Sequence, residues 1–112
     1  MTLDDDSQNS KRLHYELEMM ITRINNEQIS AVTGTITWQS FVNVATMVAS
    51  LRAHYLKTVL EVGEGYDGRS IDTASASELK RLREAYTEVM SGFSALEHAL
   101  ERGYIELSKE GA

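Results

Sequence analysis

The chain has 112 residues, enough for one domain with a modest core and too few for two. Hydrophobic residues make up 42% and charged residues 25%, a globular rather than a disordered composition. The net charge of −6 is spread along the chain apart from Asp4-Asp5-Asp6, so no basic patch is available to bind nucleic acid directly, and the absence of cysteine excludes disulfides, thiolate chemistry and the common structural zinc sites.

The N-terminus, MTLDDDSQNSKR, is acidic and polar where a secretory leader would be basic and then apolar. No stretch approaches the ~20 apolar residues that a membrane span requires, so no membrane contact is expected. Residues 1–9 are expected to form a disordered acidic tail and residues 10–109 a single helical-bundle domain. The protein is expected to be cytoplasmic, made by a bacterium or a virus.

Proline is absent and apolar residues recur three and four apart, which predicts long uninterrupted helices. Ser10 caps a first helix from Lys11 to Val32, with Leu13, Leu17, Met20, Ile24 and Ala31 on one stripe and Gly34 as its stop. The β-branched run ISAVTGTIT, residues 29–37, admits a short extended piece at that boundary. Thr37 caps a second helix, Trp38 to Val62, which ends at Gly63 in the linker GEGYDGRSIDTAS. Ser75 or Ser77 opens a third helix, where Leu79, Leu82, Tyr86, Val89, Phe93, Leu96 and Leu100 alternate three and four apart as a core stripe. Ala85, Gly92, Ala99 and Gly103 line a small-residue stripe beside it, against which the second helix is expected to pack. The expected fold class is all-α, an antiparallel up-down-up bundle of three long helices, completed by dimerisation.

Catalytic and metal-binding groups must converge within a few ångströms. His14 early in the first helix and His98 late in the third fall at opposite ends of such a bundle. The Glu-x-x-His signature of di-metal bundles is absent, as are HExxH, a phosphate-binding glycine loop and a Ser-His-Asp arrangement. No enzyme activity, metal or cofactor is therefore expected.

One segment carries a different reading. In RAHYLKTVLEVG, residues 52–63, His54 lies on the polar arc of the second helix with Asn43, Ser50, Lys57 and Glu61. The run Ala53-His54-Tyr55-Leu56-Lys57, closing at Gly63, resembles the phosphoacceptor segment of histidine-phosphotransfer domains, which are small helical bundles. That resemblance implies a phosphorelay protein with His54 as phosphoacceptor and Lys57 neutralising the added charge. Thr58 and Val59 stand where that family has a glycine and a small residue, and Gly63 arrives one residue early. A solvated histidine beside a lysine accounts for the same residues.

The function expected first is a non-enzymatic protein-protein interaction module, a small regulator, inhibitor or assembly subunit acting through exposed apolar helix faces. Tyr15 and Met19 project roughly 120–160° from the first helix's stripe, and Ile29 joins them as a face for a protein partner. The apolar arc of the second helix spans roughly 240°. Phe41, Val44, Val48, Leu51, Tyr55, Val59 and Val62 form one stripe, and Val42, Ala45, Ala49, Ala53, Leu56 and Leu60 the next. One chain's three helices cannot cover both, which assigns Val42, Leu56 and Leu60 to self-association in a homodimer. Arg52 sits in the apolar arc as a buried-charge candidate, expected to pair with Glu16.

Overall fold

The computed structural model describes residues 3–109. Three helices, α1 (Leu3–Thr33), α2 (Trp38–Glu64) and α3 (Thr73–Glu101), carry most of the chain. Two short strands, β1 (Ile36–Thr37) and β2 (Leu107–Ser108), pair in parallel, with Ile36 opposite Leu107 and Thr37 opposite Ser108.

α1 begins at Leu3, well before the expected cap at Ser10, so the segment read as an acidic tail is helical from that residue on. The helix stops at the predicted glycine. Gly34 takes φ 68°, a left-handed conformation that a Cβ would penalise, and donates its N–H to the Ser30 carbonyl at 2.9 Å. The short extended piece admitted by ISAVTGTIT exists as β1.

Thr37 ends β1 and caps α2. Its hydroxyl accepts from the Ser40 N–H at 3.1 Å, while the Ser40 hydroxyl accepts from the Thr37 N–H at 3.2 Å, a reciprocal capping box. α2 continues through Gly63 to Glu64 and is closed by Gly65, whose N–H donates to the Glu61 carbonyl. Asp72, rather than Ser75 or Ser77, caps α3: its Oδ1 accepts from the Ser75 N–H at 2.6 Å. Hydrogen bonds from the Ser75 side chain and backbone hold the Asp72 carboxyl below its ordinary value of 3.8. The cap is therefore at full strength above that value and is lost as pH falls through the lowered one.

α2 and α3 pack together along their length. Phe41 meets Phe93 edge-to-face with ring centroids 6.0 Å apart, Arg52 reaches Tyr86, and Val59 and Val62 gather with Leu79. Contacts thus climb α2 as they descend α3. The buried apolar residues are Phe41, Val48, Leu82 and Ile105, the first three supplied by the predicted stripes of the two helices. Gly92 corrects one expectation: a Cβ placed there would meet nothing within 4 Å, so α2 does not approach it.

The larger correction concerns α1, which makes no extended packing with α2 or α3. A three-helix bundle is therefore not assembled within one chain. The molecule measures 76 × 41 × 18 Å, and its radius of gyration is 22.5 Å, against about 13 Å for a compact domain of this length. Its accessible surface is 8725 Å², about 2,500 Å² more than a folded monomer of 12.5 kDa exposes.

What holds α1 is the segment after α3. Gly103, at φ 76°, turns the chain out of the helix, and the Tyr104 N–H donates back to the Ala99 carbonyl at 2.8 Å. Ile105 follows, only 5% exposed, and then β2. Against this turn, Asn26 Nδ2 donates to the Gly103 carbonyl at 3.4 Å, and Thr22 Cγ2 lies 3.6 Å from where a Gly103 Cβ would stand.

Gly92→Ala should raise stability by about 0.5–1 kcal/mol in thermal unfolding, the ordinary gain for a helix-interior glycine with open space beside it. A loss would place a neighbouring helix against Gly92.

Candidate functional site

The half-buried residues of α1 are Thr22, Asn25, Asn26 and Ile29. At 3.6 residues per turn they share one side of the helix, the side that meets Gly103 and the C-terminal segment. The Leu13, Leu17, Met20 and Ile24 stripe is centred roughly 150° around the helix from them. It therefore faces away from its own chain. Leu13 is 67% exposed, and Leu17, Met20 and Ile24 are each close to half exposed, with Ile21 on their flank also exposed. The stripe that a three-helix bundle would have buried is an uncovered apolar seam with coiled-coil spacing.

Tyr15 and Met19 are exposed, as a binding face requires, but Ile29 does not share their surroundings. Ile29 is half-buried and lines an open cavity of about 450 Å³ between the end of α1, β1 and the Tyr104–Ser108 segment. Only Tyr15 and Met19 thus form a continuous outward patch, beside the contact face and N-terminal to it.

On α2 the two apolar stripes part company. The Phe41, Val48 and Tyr55 side packs on α3, while Leu56 and Leu60 stand 51% and 67% exposed on the adjacent side with Ala45, Ala49 and Ala53. Val42 is half-buried. It lies with Trp38, Phe41, Ala45, Phe93 and Leu100 in an apolar groove of about 300 Å³ at the first turns of α2.

Arg52 corrects the expectation of a buried ion pair. It is exposed and not bridged to Glu16, which is itself exposed on the projecting helix. Arg52 Nε instead donates to the Tyr86 hydroxyl at 3.1 Å, and its guanidinium carbon lies 5.3 Å from the Tyr86 ring centroid. A tyrosine in the predicted α3 stripe thus answers the charge with both a hydrogen bond and a π face.

His54 is exposed, with Nδ1 2.8 Å from the Ser50 carbonyl one turn back. That bond assigns the proton to Nδ1 in the neutral ring and leaves Nε2 facing outward as an acceptor. Lys57, expected to serve His54, has its ammonium 3.7 Å from Glu61. His14 Nε2 lies 3.1 Å from Glu18 Oε1, and His98 stacks edge-to-face on Tyr104 with centroids 6.5 Å apart. Among the described residues no three His, Asp or Glu side chains are placed to share a metal. No helix among the described residues is long and apolar enough to cross a membrane.

Sequence reasoning did not show that four residues orient α1: Thr22, Asn26, Gly103, which it placed only in a small-residue stripe, and Ile105. A signal for the last two exists in GYIELS, where a helix-ending glycine precedes alternating apolar and polar residues of short-strand type. No family model, curated protein or solved structure matches the chain.

Arg52→Met should lower stability by about 0.5–1 kcal/mol in thermal unfolding, the range for an exposed cation–π contact with its hydrogen bond. A stabilised Arg52→Met protein would mean the Tyr86 contact contributes nothing.

Proposed function

We propose that the protein is a non-enzymatic protein-protein interaction module, an assembly subunit whose helices form a complete bundle only when a helix from another chain lies on them. The observation that carries this reading is the uncovered seam of α1, Leu13, Leu17, Met20 and Ile24, turned away from its own chain. Isolated apolar residues on a surface are ordinary; a run of four at three-four spacing on a projecting helix is not. The excess surface and the large radius of gyration support the same reading, since both mark a chain whose folding partner is external.

Two further faces fit an assembly subunit. The outer stripe of α2, with Leu56, Leu60 and the half-buried Val42, is the self-association surface expected from the sequence, and Tyr15 with Met19 offers an aromatic-thioether patch of the kind interfaces favour.

Leu13→Glu with Leu17→Glu tests the reading. If the seam is an interface, the doubly substituted protein keeps the near-ultraviolet signature of Trp38 at low temperature but unfolds at a lower midpoint that no longer depends on protein concentration, because the covering chain is lost. If the seam is core, the substitutions cost several kcal/mol and abolish that signature, and the interaction reading falls.

A further inference from the structure

The partner that fits the α1 seam is a second copy of this chain. We infer that two α1 helices pair antiparallel, with Leu13 of one packed in a layer with Ile24 of the other and Leu17 with Met20; this rests on reading the seam as an interface.

The first support is that the seam is self-complementary. Written as a heptad, Leu17 and Ile24 take the a positions and Leu13 and Met20 the d positions. Antiparallel pairing matches a with d, and one two-fold axis between residues 18 and 19 satisfies all four residues at once. An isologous dimer requires such a palindrome, and a foreign helix does not.

Charge supplies the second. Glu16 and Arg23 occupy successive g positions, on the same flank of the seam. In an antiparallel pair this flank faces its own counterpart, and the same two-fold that aligns the apolar layers sets Glu16 of each copy opposite Arg23 of the other. A parallel pair would set each g residue against an e residue of the partner, Glu16 against Ile21, and forfeit both ion pairs. Both charged residues are exposed, and neither takes part in an ion pair with another described residue of its own chain.

Space and area agree. The side of α1 that contacts Gly103 lies roughly 150° from the seam, so a second α1 reaches the seam without displacing the C-terminal segment. The excess of about 2,500 Å² per chain is spread over the whole elongated molecule, and the α1 seam is the part of it that this pairing would cover.

Because the chain has no cysteine, a single spin label can be attached to Ser7→Cys in the otherwise unaltered 112-residue chain. With the α2 face closed by Leu60→Glu, light scattering at micromolar concentration should give about 25 kDa, twice the 12.5 kDa of one chain. Pulsed dipolar spectroscopy should place the two labels about 35 Å apart, since the proposed register separates the two copies of residue 7 by that rise along the helix axis. A parallel pair would bring them within about 15 Å. Glu16→Arg and Arg23→Glu should each weaken the dimer about tenfold, and the two together should restore it, because the double exchange recreates both pairs. A mass of 12.5 kDa overturns the second copy as occupant while leaving a foreign helix on the seam as the interaction reading requires. A short label distance, or single charge reversals without effect, overturns the antiparallel register.

Discussion

The parallel pairing of β1 with β2 is the smallest element of the molecule and the one on which the placement of α1 depends. Two residues on each side join the connection between α1 and α2 to the segment after α3, and Ile105 is buried just ahead of the pairing. This fixes Gly103 beside the last third of α1, where Thr22 and Asn26 meet it. α1 is thereby committed to presenting a mixed Thr-Asn-Ile side inward, and its most apolar side is left outward.

A helix normally turns its largest apolar stripe to its own core, because burial there contributes most to stability. α1 does the reverse, and the chain as a whole has few buried residues: Phe41, Val48, Leu82 and Ile105 among those described. A pair of helices joined by one loop is a thin basis for an independently stable domain, since a two-helix layer leaves one side of each helix open. The association proposed above would resolve the difficulty by making part of the core intermolecular. The exposed face of α2 extends the same logic, with Leu56 and Leu60 outward and an alanine-lined middle that allows close approach.

Where local chemistry decides, the sequence was legible. The Thr37 cap, the left-handed Gly34, the short extended piece in ISAVTGTIT and the facing stripes of α2 and α3 could all be read directly, because each depends on residues close in the chain or on a period that admits one answer. The periodicity of α1 was equally plain, and it identified Leu13, Leu17, Met20 and Ile24 as sharing a side. It could not say what covers that side, since period reports which residues lie together and not whose surface they meet. Arg52 failed for a related reason: the sequence showed a charge in an apolar arc, but only the pairing of α2 with α3 brings Tyr86 to it. Ile105 was missed because one apolar residue after a helix-ending glycine carries no period, and its burial depends on the contacts of the segment that leads into β2. The histidine-phosphotransfer resemblance rested on a local run, and the surroundings place Lys57 with Glu61 and the His54 ring on a backbone carbonyl.

Amide hydrogen exchange along α1 is the most direct measurement of the central claim, that the seam is covered by another copy of the chain. Amides from Leu13 to Ile24 should be protected far beyond an uncovered helix at high protein concentration, and that protection should fall steeply on about a hundredfold dilution as the assembly dissociates. Exchange at the rate of a bare helix at every concentration would contradict the account, and so would protection that dilution leaves unchanged.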